Sequence, residues 1–192
     1  MKLIVGLGNV GSQYIHTRHN IGFAMLDCYR TAHQAQFKAG IVKTVKRELR
    51  VWYSDSVVLL KPPDQMNNSG KAVEAVTIAL DIPNDDVLVL HDDVDFDLGR
   101  LKVKCLTNNG RHRGVSDIAM RLGTSFGRVK IGIDKPPHYQ TLAEYVLSDF
   151  GPVERDCMCG ISHRVCNVID TFIEQGIEAT MTRYNRSSNE QT

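Results

Sequence analysis

The chain has 192 residues, 42% of them hydrophobic and 23% charged, with a formal net charge of +1. That length suits one domain able to bury about 70% of its surface. The near-neutral balance excludes a generally polybasic protein but leaves room for a local basic face. No run approaches the roughly 18 apolar residues of a membrane-spanning helix, and no secretory signal opens the chain. The five cysteines are therefore expected to be reduced thiols of a cytoplasmic protein. Cys157-x-Cys159 with Cys166 lacks the CxxC spacing of a zinc site and reads as helical core positions.

In chain order, Leu3-Ile4-Val5 reads as a buried strand, and Gly6-Leu7-Gly8 as its glycine-rich exit. Glycine there lets backbone N–H groups face a ligand with no Cβ in the way. Gly6-x-Gly8-x-x-Gly11 matches a dinucleotide fingerprint, but no helix opens within the glycines and no acidic strand end follows at the required distance. The loop instead carries an amide, Asn9, and an imidazole, His19, ahead of a helix over Ile21 to Ala35. Strands are predicted at Ile41 to Lys46, Leu49 to Tyr53 and Val57 to Leu60. Pro62-Pro63 forces an extended path. Asn68 or Ser69 can cap a helix bearing Ala72, Val73, Val76, Ala79 and Leu80 on one face.

Val87 to Leu90 is a continuous apolar run, as in a central strand buried on both faces. A strand from Arg100 to Cys105, a helix from Val115 to Leu122 and a strand from Val129 to Ile133 follow. The last helix opens near Pro152 and closes at Gly176, with residues 183–192 a frayed tail. With no repeats and no linker, the expected fold is a single α/β domain, a twisted mixed sheet with helices on both faces.

In open α/β sheets ligands sit beyond the carboxyl ends of parallel strands. Gly8-Asn9 follows one such end and His91-Asp92-Asp93 another. A carboxylate there can accept Nδ1–H of an imidazole and leave Nε2 to take a proton from water, so His19 with Asp92 is the expected pair. A solvated acidic turn or an oxygen-ligand metal site are the other readings of His91-Asp92-Asp93-Val94-Asp95. Asn67 supplies a further amide, or an ordinary helix cap. Water is the expected attacking group.

Residues 6–23, GLGNVGSQYIHTRHNIGF, resemble the opening signature of bacterial-type peptidyl-tRNA hydrolases, GLGNPG…Y…TRHN.G. QMNNSGKAV is similar to that family's FMN.SG.AV, HDDVDFDLGRLKVK to HDDLDLPLG…K.K, and KIGIDKP to R.GIG.P. The resemblance implies a monomeric, metal-free and cofactor-free enzyme that cleaves the ester joining a peptide to the terminal ribose of tRNA. It implies His19 as general base, Asp92 as its orienting acid, and Asn9 and Asn67 as groups holding substrate and water. Tyr14, Gln65, Met66, Asn67 and Arg113 fall at substrate-binding positions, and Lys104 and Lys130 at positions that grip the tRNA acceptor end.

There are departures from the family pattern. Val10 stands for proline, Asp64-Gln65 for Thr followed by an aromatic, and Arg113 for a substrate-binding asparagine. Arginine keeps N–H donors but loses the amide acceptor and adds charge. Residues 97–130 hold eight basic side chains against two acidic ones, a patch able to bind phosphates or merely charge scattered over two strands and a helix. The alternative function is an RNA-binding protein on the same fold with weakened or lost hydrolysis.

Overall fold

The computed structural model describes residues 1–105, 111–123 and 125–185. Its seven-stranded sheet consists of β1 (Lys2–Gly6), β2 (Lys38–Lys43), β3 (Glu48–Tyr53), β4 (Val57–Leu60), β5 (Val87–Asp93), β6 (Leu101–Cys105) and β7 (Gly127–Gly132). The spatial order is β2-β3-β4-β1-β5-β7-β6. The four central strands, β4, β1, β5 and β7, run parallel; β2, β3 and β6 join antiparallel at the two margins. The mixed sheet therefore matches the expected class.

Strand periodicity sorts the core into two layers. Ile4, Leu88, Leu90, Val129 and Ile131 face α1 (Ile21–Ala32) and α5 (Pro152–Tyr184). Leu3, Val5, Val87 and Val89 face α2 (Ser69–Ala79) and α3 (Arg113–Leu122). Gly22 allows α1 to cross the sheet closely, since a Cβ there would lie 2.4 Å from the Leu90 carbonyl oxygen. The buried Asp117 carboxylate of α3 accepts the Gly70 N–H at 2.7 Å, satisfying a free donor in the first turn of α2. A carboxylate at that helix end also suits the macrodipole, so α2 and α3 are locked together.

Several expectations need correction. β5 runs on to Asp93, so His91, Asp92 and Asp93 are strand residues with fixed directions rather than a turn. A short helix, α4 (Leu142–Val146), was not expected; the Thr141–Glu144 capping box starts it. Gly176 (φ 78°) ends only the first part of α5, and helix resumes to Tyr184. Residues 183–185 are thus ordered: the Asn185 side chain accepts Val103 N–H at 3.0 Å and donates to Val103 C=O at 2.6 Å. The remainder of the expected tail, 186–192, lies outside the described residues. The cysteines are free thiols; Cys166 is in the core and Cys157 is half-buried against it, but Cys159 is exposed and is not a core position.

Candidate active site

The loop leaving β1 is held from both sides. Asn9 donates its backbone N–H to Asn20 Oδ1 (2.8 Å) and accepts Asn20 Nδ2–H at its carbonyl (2.9 Å). Asn9 Oδ1 accepts Met66 N–H at 3.0 Å, which leaves the Asn9 Nδ2–H donors for the cleft it lines. His19 sits in a 3-10 turn, Arg18–Asn20. The neighbouring Arg18 guanidinium anchors that turn, with both Glu154 oxygens at 2.7 Å, Ser148 Oγ at 2.8 Å and the Asp149 carbonyl at 2.6 Å. It also lies over the Tyr145 and Phe150 rings. Sequence reasoning passed over Arg18, although arginine beside a functional residue in a loop is a fair signal for such an anchor.

His19 Nδ1 is 2.9 Å from Asp92 Oδ1, and His112 Nε2 is 3.0 Å from the same oxygen. The proton positions follow from the partners. His112 is the N-cap of α3, and its Nδ1 accepts Val115 N–H at 3.3 Å, so its proton is on Nε2 and points at Asp92. A carboxylate only accepts, so His19 likewise presents Nδ1–H and keeps the Nε2 lone pair free. His91 Nδ1 donates to the Asp92 carbonyl at 2.7 Å. Burial alone would raise the Asp92 pKa, but His112 and His19, by charge and hydrogen bond, hold it well below the carboxylate range. Burial, and then His112, pushes the His91 pKa far down, so His91 is neutral. His112 was not among the expected site residues; its one signal was its place beside Arg113, which stands for the family's substrate-binding asparagine.

These groups open onto a cleft of about 770 Å³. It brings together Asn9, Tyr14, His19, Gln65, Met66, Asn67, Asp92, Arg113 and Lys130, and adds Arg111, His112 and Arg128. The α4 segment supplies an apolar wall of Leu142, Ala143, Val146 and Leu147. Met66 is buried, whereas Gln65, Asn67 and Arg113 are exposed at the cleft surface. Asp64, unplaced by the sequence, forks onto Arg47 at the β2–β3 turn with contacts of 2.9 and 2.7 Å. That pair tethers the strand-to-helix segment carrying Gln65 and Asn67.

Lys104 lies apart from these residues, exposed on β6. The expected patch of eight basic residues is smaller in space. Lys130 is paired with Asp93 at 2.5 Å, Arg121 with Glu74 at 3.0 Å, and Arg128 is buried. Exposed charge without a carboxylate partner among the described residues is thereby narrowed to the surface of β6 and the start of α3.

His19, Asp92 and His112 also have the composition of a metal site, with candidate ligand atoms within 4.8 Å of one another. Their hydrogen bonds work against that use. The Val115 capping bond keeps a proton on His112 Nε2, the atom a metal would need, and neutral nitrogen with a free lone pair is the ligating form. No serine, threonine or cysteine is among the described residues lining the cleft.

Fold and cleft together describe an α/β enzyme of the hydrolase kind. The sequence profile described as Peptidyl-tRNA hydrolase matches residues 3–192. A peptidyl-tRNA hydrolase of Symbiobacterium thermophilum is 37% identical over 187 residues, covering 96% of this chain and 98% of its own. One from Rickettsia felis is 34% identical, covering 93% and 96%. The crystal structure of an Arg119Gln mutant of peptidyl-tRNA hydrolase from Acinetobacter baumannii aligns with a TM-score of 0.80 at 27% identity, covering 96% of this chain and 94% of that one. The chain belongs to the peptidyl-tRNA hydrolase family.

Proposed function

We propose that this cleft hydrolyses the ester between peptide and tRNA in peptidyl-tRNA, releasing free tRNA, with His19 as the base that activates water. The observation that carries the reading is the His19 Nδ1 to Asp92 Oδ1 contact of 2.9 Å, which fixes the tautomer and turns Nε2 to the cleft. In the step this supports, Nε2 takes a proton as the water oxygen attacks the ester carbonyl carbon. The tetrahedral intermediate then expels the ribose oxygen, which receives that proton back from His19. In this reading Asn9 Nδ2–H and Asn67 hold the substrate carbonyl and the water, and Tyr14, Gln65 and Met66 line the peptide's path. A metal or cofactor has no part in this scheme. The family supports extending the reading to a monomer at work where translation takes place, in the cytoplasm.

A binder without chemistry, the alternative that Arg113 and Gln65 raised, is not favoured. The family match spans the chain, and a pure binder has no use for an imidazole oriented by a buried carboxylate. Arg113 stands in the first turn of α3, where the macrodipole disfavours a cation. Such a residue reads as facing a substrate rather than stabilising its helix.

The direct test is release of free tRNA from a model peptidyl-tRNA. The wild-type chain will turn over, and Arg113→Asn, restoring the family's amide, will leave kcat equal or higher while KM rises with the loss of a guanidinium from the cleft. A wild type that binds but never releases, with turnover appearing only in Arg113→Asn, would establish the binder instead. Lys104→Ala will weaken tRNA binding and lower its salt slope by about one, as expected for a lost phosphate contact. Lys130→Ala will weaken it further, because Asp93 is then left to repel phosphate. Equal losses on a minimal ester lacking the tRNA body would show that these lysines serve the active centre and not the tRNA.

A further inference from the structure

The water-activating cluster leaves one buried cation in the cleft unused. Arg128 on β7 is only 5% exposed, yet it lines the cleft, and its Nε is shielded from solvent without a hydrogen-bond partner among the described residues. Its register neighbours are Val89 on β5 and Lys104 on β6, neither able to accept a bond through its side chain. The nearby carboxylate, Asp93, is already held by Lys130 at 2.5 Å. Arginine is in effect always charged. A buried charge without a counter-group is costly, and such an unsatisfied group in a native structure calls for an explanation.

Two further guanidinium groups reach the same cleft. Arg111 and Arg113 flank the N-cap of α3, are exposed, and have no ion-pair partner among the described residues. No acidic residue occupies the first turn of α3. Asp92 is committed to His19 and His112. The cleft therefore offers three fork-shaped donors with no protein carboxylate assigned to them, a donor set that matches phosphate oxygens.

We infer that Arg128, with Arg111 and Arg113, forms a phosphate-binding subsite beside the His19–Asp92–His112 cluster, and that a phosphodiester of the substrate's nucleic-acid strand fills it. The choice of phosphodiester rests on the peptidyl-tRNA reading of the cleft. At the scissile bond the peptide's own carboxyl is esterified and uncharged. The nearest anion that every such substrate carries is then the phosphate one ribose away. The buried Arg128 at the floor and the two exposed arginines at the mouth would hold that phosphate from opposite sides.

Binding can be measured without turnover, so an inactive chain would sink the hydrolase reading and leave this test intact. The probes are the dinucleoside monophosphate CpA, which has one phosphodiester and no peptide, and adenosine, which has none. Arg128→Gln is expected to weaken CpA about tenfold or more, the size of a lost charge-assisted hydrogen bond. Adenosine binding should stay unchanged, and Arg128→Lys should recover part of the loss. The melting temperature of Arg128→Gln should equal or exceed the wild type's, because an unpaired buried charge has been removed. Equal losses for both probes, no loss for either, or a marked fall in melting temperature would each overturn the proposal by assigning Arg128 to the fold or to nothing. Inorganic phosphate at matched ionic strength supplies the last arm. If it stabilises the wild type while CpA binds no better than adenosine, the site takes a free anion and the nucleic-acid assignment fails.

Discussion

Replacing His19 with alanine will reduce tRNA release by about 10²- to 10⁴-fold, the usual contribution of a positioned general base, and will leave tRNA binding nearly intact. The imidazole carries no phosphate contact in this scheme. Single-turnover release and filter binding on the same preparation separate the two quantities. The pH profile gives a second readout. Asp92 is held well below the carboxylate range, so it remains ionised throughout the range in which the protein works. Protonation of Asp92 is therefore excluded as the cause of any fall in rate within that range. Comparable losses of binding and release in His19→Ala would end the assignment.

Asp92→Asn will slow release by about 10²-fold, a smaller loss than removing the base itself. The amide fits the space but carries no charge. His112 is fixed as an Nε2–H donor by its bond from Val115, so the new carbonyl oxygen takes the position that both imidazoles share and still accepts from each. The His19 tautomer is kept, but the imidazolium formed on taking a proton from water loses its counter-charge. The substitution also bears on acid stability. A carboxylate whose folded pKa is depressed contributes stability above its unfolded value of about 3.9, lost as pH falls through the lower folded value. Asp92→Asn removes that contribution, and urea titrations at pH 7 and pH 3 should show a flatter pH dependence than the wild type. An unchanged rate would mean that Asp92 does not orient the base.

How much of this was legible in the sequence depends on the kind of residue. The central strands were clear because Leu3-Ile4-Val5 and Val87 to Leu90 are apolar on both faces, which few other environments tolerate. The bond from His19 to Asp92 was legible because two strand exits of a parallel sheet must lie side by side. His112 was not, because its importance comes from a capping bond three residues on, a contact that no spacing rule distinguishes from any other helix start. The short α4 has too few turns for a periodic stripe, yet it furnishes the apolar wall. Charge counting overstated the basic face for the same reason. Lys130 and Arg121 meet carboxylates from β5 and α2, elements distant in the sequence, and pairing across elements is invisible to a tally along the chain.

The side chain of Asn185 has a consequence for how the molecule behaves in a crowd. β6 is the last strand of the sheet, and an edge strand offers its outward N–H and C=O groups to any extended segment that comes by. Asn185 occupies both outward groups of Val103, the middle residue of that strand, imitating one rung of a neighbouring strand without being one. An incoming chain would have to displace a helix end to zip onto this margin. At the opposite margin β2 exposes Lys38 and Lys43, like charges that repel a second copy lying alongside. One border is stoppered and the other is charged, so the sheet is guarded against growing by self-association into a larger aggregate.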